Sequence, residues 1–297
     1  MILIIGGTGR LGRPLANDLA AEHEVRVLAR HATSADSSRS ERVELIDGDI
    51  RDSFAVAEAA DGASCIVMAA HGVESRDRDG LEAVDELGSR AVVAAARRFG
   101  SRIVFVSSAT ARPDAPLRLD RSKWAAERVI RESGISWTIV RAAPYAQTWA
   151  MILTMSAGRS ERPGIIGSGE TPHRFVDVRD VVAAVARAAT DVSLQGRTLE
   201  VAGPEQLTLG DLAAMMQRAN SWPGSPRHIP MPVARAIGGA LELFRPDLAR
   251  RVRIAVAMNA PDPAPDGAAE VPSWITTRSI TPETMGAVSR AVHPRSS

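Results

Sequence analysis

A glycine-rich turn at the start of the chain constrains the fold more than any other feature. Residues 6–12 read Gly-Gly-Thr-Gly-Arg-Leu-Gly and directly follow the apolar run Ile2–Ile5. The glycines satisfy both G-x-G-x-x-G and the wider G-x-x-G-x-x-G spacing. This spacing is needed where the chain turns sharply, where a phosphate approaches the backbone and where a helix packs on a strand. The turn and the helical pattern of residues 10–21 predict the first strand–helix unit of a dinucleotide-binding fold.

Apolar runs alternate with helical patterns over the first 140 residues or so. Continuous Val, Ile and Leu runs predict strands that are buried on both faces of a parallel sheet. The predicted strands are Ile2–Ile5, Glu24–Ala29, Val43–Ile46, Cys65–Ala69, Ile103–Ser107 and Thr138–Val140, and the helices between them are 10–21, 53–60, 80–98 and 121–133. This alternation predicts an α/β protein, with a Rossmann-type doubly wound parallel sheet in residues 1–144.

The pattern changes after Arg141, and we expect residues 145–297 to form a smaller, mostly helical C-terminal substrate lobe. Within this part, 174–202 is expected to return to the sheet through strands at 174–178 and 198–202. The predicted helices are 145–155, 181–190, 210–219 (after the cap Thr208), 233–244 and 247–258. Residues 158–171, rich in Gly and Pro, and 259–272, which holds four prolines, read as loops. For 259–272, an active-site lid and a connection without a role are both open.

Composition excludes several classes of protein. Lys and Arg total 36 against 35 Asp and Glu, so the net charge of +1 gives no basic excess of the kind that nucleic acid requires. The single cysteine, Cys65, excludes an internal disulfide and a cysteine-based zinc site. No stretch approaches the roughly 20 apolar residues that span a bilayer. We therefore expect a cytoplasmic protein, a monomer or homodimer, that acts on a small molecule without nucleic acid, membrane or metal.

The end of the second predicted strand indicates which dinucleotide binds. An acid at this position usually binds the ribose hydroxyls of NAD, whereas an arginine accommodates the 2′-phosphate of NADP. The strand ends at Arg30, and no acid occurs between Glu24 and Asp36. NADP(H) is therefore predicted over NAD(H). Arg10 could reach the same phosphate, and the alternative is that both arginines are ordinary surface residues of an arginine-rich chain.

Further cofactor contacts are predicted after the third and fourth strands. Asp49 and Ile50 stand where the adenine ring is expected, but Asp49 could instead cap the helix that begins near Ser53. The small-residue turn Ala69-Ala70-His71 lets the cofactor lie close to the backbone, and no acid or cysteine accompanies His71 at metal-ligand spacing. With the lysine discussed below, the predicted cofactor contacts are Gly6, Gly7, Thr8, Gly9, Arg10, Leu11, Gly12, Arg30, Asp49, Ile50, Ala69, Ala70, His71 and Lys123.

Together these residues resemble the atypical short-chain dehydrogenase/reductase superfamily, in particular its NmrA-like NAD(P)-binding family. The likeness runs from Ile2 to about Pro204, and its motifs are 6–12, 27–30, 48–49, 107–109, Lys123 with Glu127, 138–141 and 175–178. In catalytic members a serine at the fifth strand and a Tyr-x-x-x-Lys helix carry the chemistry. Ser108 and Lys123 match that pattern, but Leu119 stands at the tyrosine position and has no proton to give.

The resemblance implies roles for the matching residues. Lys123 would hold the nicotinamide ribose, and Ser108 would donate a hydrogen bond to the acceptor oxygen. Lys123 is the only lysine in the chain, which favours retained cofactor contact over an exposed helix lysine. The only tyrosine, Tyr145, could replace the missing proton donor or form an apolar wall of the pocket, and His173 is a weaker candidate.

The sequence therefore predicts an NADPH-dependent reductase that passes hydride to a small or medium apolar acceptor such as a quinone, an enone or a carbonyl compound. An NADP(H)-binding regulator that senses redox state without turnover is the alternative. A sugar-nucleotide epimerase or dehydratase is a third possibility, against which Leu119 argues. The identity of the substrate and the direction of the reaction are left open.

Overall fold

Parallel strands form the central sheet of the structure, a computed structural model in which residues 1–33, 40–73, 80–262 and 269–292 are described. The strands of the described residues are β1 (Ile2–Ile5), β2 (Val25–Ala29), β3 (Val43–Asp47), β4 (Cys65–Met68), β5 (Arg102–Ser108), β6 (Trp137–Ala142), β7 (Gly164–Ile166), β8 (Arg197–Val201) and β9 (Arg227–Ile229). Seven of them form one sheet in the order β3-β2-β1-β4-β5-β6-β8, with every pair parallel. The predicted Rossmann-type sheet is thus confirmed.

The order of the strands creates a crevice at one edge of the sheet. The chain runs outward from β1 to β2 and β3, then returns to place β4 on the other side of β1. Ligands of doubly wound sheets bind beyond the carboxyl ends of the strands at such a reversal. The residues of β1 are all buried because helices cover both faces of the sheet. The carboxyl ends of β1, β4 and β5 are therefore where a site is expected.

The described residues also contain helices, which include those that link consecutive strands of the sheet. They are α1 (Gly12–Leu19), α2 (Ser53–Ala60), α3 (Gly80–Glu82), α4 (Gly88–Phe99), α5 (Arg118–Arg131), α6 (Ala146–Ala157), α7 (Val178–Thr190), α8 (Leu209–Asn220), α9 (Met231–Leu241), α10 (Pro246–Ala257) and α11 (Pro282–Val292). Between α3 and α4 the turn Ala83–Leu87 is π-helical, so one widened turn interrupts the predicted helix. The predicted cap Thr208 is confirmed, because it forms a reciprocal capping box with Asp211.

The structure corrects several predicted elements. The strand predicted at 174–178 is absent, since Val176 makes only an isolated bridge with Tyr145 and α7 already begins at Val178. Phe175 and Val176 are nevertheless buried, so their β-type pattern reflects burial rather than a sheet ladder. The loop predicted at 158–171 contains β7, which pairs with β9. The sequence patterns predicted neither β9 nor α11.

The described residues divide into two compact units. Unit 1 contains 1–142, 179–201 and the described residues 269–275, and it includes the seven-stranded sheet. Unit 2 contains 143–178, 202–262 and 276–292. Its core includes Trp149 and Leu153 of α6, Leu212 and Met216 of α8, and Met285 of α11. In the described parts of the chain, no helix is both long and apolar enough to cross a membrane.

Both described ends of the predicted loop 259–272 are attached to other segments. Asn259 donates from Nδ2 to the Ile166 carbonyl oxygen at 2.9 Å. At the other end, the backbone of Glu270 bridges Leu199 of β8 and donates to the Thr198 carbonyl at 2.9 Å. Residues 263–268, in the middle of this predicted loop, lie outside the described residues. The choice between an active-site lid and a connection without a role therefore stays open.

Candidate active site

The glycine-rich turn is held tightly against its own protein surroundings at two points. Gly6 has φ +89°, and a β-carbon there would lie 2.7 Å from the backbone nitrogen of Ala70. A β-carbon on Gly12 would lie 2.3 Å from the Gly6 carbonyl oxygen. Glycine is therefore required at both positions by the fold itself, because it brings the end of β1 against β4 and the start of α1 against the turn.

Gly9 is different, because the protein around it leaves room. A β-carbon there would meet only the Gly6 carbonyl oxygen, at an ordinary contact distance of 3.4 Å, and the residue is exposed. The adjacent N-terminus of α1 has no side-chain cap and no acid in its first turn. The positive end of a helix beside exposed backbone binds phosphate groups well. The turn therefore fits the pyrophosphate of a dinucleotide.

Arg30 is exposed at the end of β2, as the NADP prediction requires. The structure also places an acid near the end of β2. This acid is Asp47, which ends β3 and lies beside Thr33, and its distance from Arg30 in the sequence gave no sign of this proximity. Asp47 accepts from the Thr33 backbone nitrogen at 3.1 Å and from its hydroxyl at 2.5 Å. The Thr33 hydroxyl chiefly holds the pKa of Asp47 below its usual value. Both carboxylate oxygens are thus occupied by Thr33.

Asp49 and Ile50 follow β3, and the structure removes one alternative for Asp49. Asp52 caps α2 by accepting from the Phe54 backbone nitrogen at 2.9 Å, so the prediction that Asp49 caps this helix is wrong. Asp49 instead pairs with Arg51 at 2.7 Å, and the Arg51 side chain is the main cause of its lowered pKa, to which Arg30 also contributes. Ile50 is buried. Contact of this pair with adenine stays a prediction.

Lys123 is buried rather than exposed on its helix. Its Nζ lies 2.9 Å from Oδ1 of Asp85, donates to the Ala70 carbonyl oxygen at 3.3 Å, and stands 4.9 Å from the centre of the Phe105 ring. These contacts fix the only lysine of the chain just beyond the carboxyl end of β4 and against the middle of β5. The alternative of an ordinary exposed lysine is therefore wrong.

Asp85 is a residue that the sequence reasoning missed. It lies in the π-helical turn Ala83–Leu87, it is fully buried, and its Oδ2 accepts from the Ser122 hydroxyl at 3.1 Å. Widened turns of this kind often occur at functional sites. The only sequence signal for Asp85 was an acid within an otherwise apolar helical face. Its partner, Lys123, is far away in the chain.

Ser108 lies at the end of β5 in a small cluster of polar groups. Its Oγ is 2.8 Å from the Thr110 Oγ1 and accepts from the Thr110 backbone nitrogen at 3.2 Å. The Asp120 side chain lies near both hydroxyls and is only 4% exposed. Burial raises the pKa of Asp120, although the two hydroxyls, Arg112 and Arg121 act in the opposite direction. The sequence signal for Asp120 was its position directly after Leu119.

The two candidates for replacing the tyrosine, Tyr145 and His173, both belong to unit 2. Tyr145 stands at the start of α6, and burial raises the pKa of its hydroxyl. His173 is buried, with Nδ1 2.8 Å from the Asp262 carboxylate and Nε2 2.9 Å from the Met258 carbonyl oxygen. Both ring nitrogens of His173 are engaged within the unit, which argues against its use as a proton donor to substrate.

A buried ion pair holds α5 against β6. Glu127 is fully buried and accepts two bonds of 2.9 Å from the Arg141 guanidinium, while Arg131 lies 3.0 Å away on the same helix. This bidentate contact fixes the helix that carries Asp120 and Lys123. Among the described residues, no group of three or more His, Cys, Asp or Glu side chains could hold a metal ion.

Comparison with known proteins agrees with this geometry. Residues 6–191 match the family described as NAD(P)H-binding. The chain is 31% identical over 225 residues to (4-alkanoyl-5-oxo-2,5-dihydrofuran-3-yl)methyl phosphate reductase of Streptomyces griseus, covering 73% of each protein.

Solved structures share the fold at lower identity. The NADPH-dependent quinone oxidoreductase of Escherichia coli, solved with NADPH, is 21% identical with a TM-score of 0.72, covering 98% of this chain and 99% of that chain. A protein named MoeE5, solved with UDP-glucose and NAD, is 18% identical with a TM-score of 0.75, covering 99% of each chain. From the family match and the site geometry together, the chain belongs to the NAD(P)H-binding family, in the NmrA-like group of the atypical short-chain dehydrogenase/reductases.

Proposed function

We propose that the protein is an NADPH-dependent reductase of a small, apolar acceptor whose reducible bond is conjugated with a carbonyl group, as in a quinone or an enone. The observation that carries the proposal is Lys123, the only lysine, whose buried ammonium group lies against the Ala70 carbonyl just after β4 and against the Phe105 ring of β5. An ammonium group is costly to bury, and here it is fixed by Asp85 at the edge of the sheet where such folds bind ligands.

Two similar proteins support this class of acceptor. The substrate in the name of the Streptomyces relative contains a ring double bond conjugated with carbonyl groups, and it also carries a charged phosphate ester, so this name supports the conjugated bond and not the apolar character. The Escherichia coli protein is named as a quinone oxidoreductase, which supports both. The chain's own departure from the catalytic pattern agrees with this choice, because Leu119 removes the phenol that simple carbonyl–alcohol chemistry uses.

In the proposed reaction, some residues bind the cofactor and others act on the acceptor. Bound NADPH supplies two electrons and one hydrogen as hydride. The turn around Gly9 and the start of α1 hold the pyrophosphate, and Arg30 binds the 2′-phosphate. Lys123 holds the nicotinamide ribose, and Ser108 donates a hydrogen bond to the acceptor oxygen, where negative charge develops.

One observation favours a second candidate. Leu119 at the tyrosine position is also what a protein that binds NADP(H) without turnover would show. Oxidation of NADPH by the wild-type protein, followed with a panel of quinones and enones, separates the two candidates. Acceptor-dependent oxidation is expected, and oxidation no faster than in solvent with every acceptor would support the regulator instead.

The role of Lys123 needs a pair of variants. Lys123→Met should lower both NADPH affinity and kcat, but it also leaves the buried Asp85 carboxylate without its ion pair and should therefore destabilise the fold. The double variant K123M/D85N removes that buried charge and should recover thermal stability without recovering NADPH binding. A stable double variant that binds NADPH like the wild-type protein would show that Lys123 does not contact the cofactor.

A further inference from the structure

We propose that α9 is the contact element of a homodimer, in which the helix of one copy packs antiparallel against the same helix of a second copy. The contact surface, called the α9 face, consists of Val233, Ala236, Ile237, Ala240, Leu243 and Phe244, all of them exposed and all in unit 2. This inference is independent of the proposed reductase function.

The α9 face exposes large apolar side chains side by side. Val233 and Ile237 are 48% and 46% exposed, and Leu243 and Phe244, in the turn that follows the helix, are 64% and 81% exposed. Intervals of three and four residues place the members of the face on one side of the helix. Single exposed apolar residues are ordinary, but a contiguous apolar patch marks an interaction site.

The opposite side of α9 is covered by α10. Ala234 and Gly238 are the buried residues of α9, and a β-carbon on Gly238 would lie 3.3 Å from Cγ1 of Val252 in α10. A β-carbon on Gly239, by contrast, would meet no neighbouring atom of the described residues within 4 Å. The helix therefore has one side packed within its own chain and one open side.

This helix has little stability of its own. Two adjacent glycines, Gly238 and Gly239, weaken a helix, and a helix of eleven residues is marginal unless it buries an apolar face. The two residues that α9 does bury, Ala234 and Gly238, supply little apolar area. Covering the α9 face would bury its larger side chains and stabilise the helix.

The shape of the α9 face suits a second copy of itself. Its middle is formed by the small residues Ala236 and Ala240, and its bulkiest residues, Leu243 and Phe244, stand at one end. A two-fold axis perpendicular to the helix brings identical surfaces together in opposite directions. The bulky end of one copy then lies over the Val233 end of the other, while the alanines let the two backbones approach closely.

The charges beside the face agree with the same arrangement. Arg235 and Glu242 lie seven residues apart and therefore on one side of the helix, at the margin of the face. A two-fold axis halfway between them places Arg235 of each copy opposite Glu242 of the other. The same axis places Val233 opposite Phe244. Glu242 is held by Arg253 at 2.6 Å, and its carboxylate can accept from a second guanidinium group.

A lipid surface fits the face less well. A helix that lies on a membrane gains from bulky apolar residues and from a basic margin. The middle of the α9 face is alanine instead, and Arg235 and Glu242 give its margin one charge of each sign. The face is less than about 20 Å long, and a stable interface buries about 800 Å² on each partner. We therefore expect a weak dimer, with a Kd in the micromolar range.

The first test measures association of the full chain by sedimentation velocity from micromolar to submillimolar concentrations. A dimer should form as the concentration rises. Ala236→Glu places one charge per copy in the middle of the contact and should raise the Kd about 100-fold or more. Ala287→Glu, at an exposed position of α11 in the same unit, is the matched control and should leave the Kd unchanged. Circular dichroism checks that both variants fold.

The second test examines the register of the two helices. Chains that carry Val233→Cys are mixed with chains that carry Phe244→Cys and are oxidised under mild conditions. Mass spectrometry should find more disulfide between positions 233 and 244 of different chains than between two identical positions. The native Cys65 is buried and should not take part.

Each remaining outcome overturns the proposal. A wild-type protein that stays monomeric over the whole range does so, as does a dimer that Ala236→Glu leaves intact or disulfides formed only between identical positions. A monomer that sediments with vesicles of phosphatidylcholine and phosphatidylglycerol, and loses this binding in Ala236→Glu, would assign the α9 face to a lipid surface instead.

Discussion

At the scale of single residues, Arg30 is the residue that tests the proposed preference for NADPH. We propose that Arg30 makes a charge-assisted bond to the 2′-phosphate, worth about 1.5 to 3 kcal/mol, so that Arg30→Ala should weaken NADPH binding roughly tenfold or more. NADH, which lacks that phosphate, should bind almost as before. Titration calorimetry with both cofactors measures the difference, and Arg218→Ala, an exposed arginine of unit 2, is the control. Equal losses for NADPH and NADH would show that Arg30 does not contact the 2′-phosphate.

At the scale of an element, two glycines of the same turn should respond differently to one added methyl group. Gly12→Ala places a β-carbon 2.3 Å from the Gly6 carbonyl oxygen and should destabilise the fold by about 1 to 3 kcal/mol. Gly9→Ala meets protein only at 3.4 Å and should change stability by less than about 0.5 kcal/mol. It should nevertheless weaken NADPH binding at least about tenfold, because the methyl group would stand where we propose that the pyrophosphate approaches.

Thermal melts and fluorescence titration with NADPH separate these effects. Wild-type affinity in Gly9→Ala would mean that the pyrophosphate does not lie over this residue. A stable Gly12→Ala variant would mean that the turn can open without loss of packing.

The contact between α5 and β6 gives the second prediction at this scale. Glu127→Gln leaves the buried Arg141 guanidinium beside a neutral amide and should lower the free energy of unfolding by about 3 to 5 kcal/mol. Glu132→Gln, at an exposed position of the same chain segment, should change it by less than about 0.5 kcal/mol. Urea unfolding of both variants tests this, and similar midpoints would show that the buried pair adds little.

At the scale of the whole molecule, His173 joins segments of unit 2 that are far apart in the chain. Burial lowers its pKa, but the bonds to Asp262 and to the Met258 carbonyl raise it by more, so the net pKa is raised. The stability from this group is therefore fully present below the unfolded-state pKa and is lost as pH rises through the folded-state pKa. His173→Gln cannot become charged and should abolish this dependence.

The measurement compares unfolding at about pH 5 and about pH 8, the range in which histidine titrates. His173→Gln should cost about 1 to 3 kcal/mol at the lower pH, where it leaves buried partners unsatisfied, and less at the higher pH. His228→Gln, an exposed residue of the same unit, is the control. A pH dependence that persists in His173→Gln must come from another group.

The sequence alone determined the sheet, because a strand buried on both faces has to be a continuous apolar run and a phosphate-binding turn has to contain glycine. The resemblance to the short-chain dehydrogenase/reductase pattern singled out Lys123 and Ser108 as candidate site residues, which stay predictions. Only the tertiary structure decided what surrounds them: Asp85 beside Lys123, Asp120 beside Ser108, and Asp47 beside Thr33. Local pattern shows whether a side chain is buried, but its partner depends on which distant segment packs there. The apolar segment at 174–178 shows the same limit, since its burial was evident from the sequence and its lack of a sheet ladder was not.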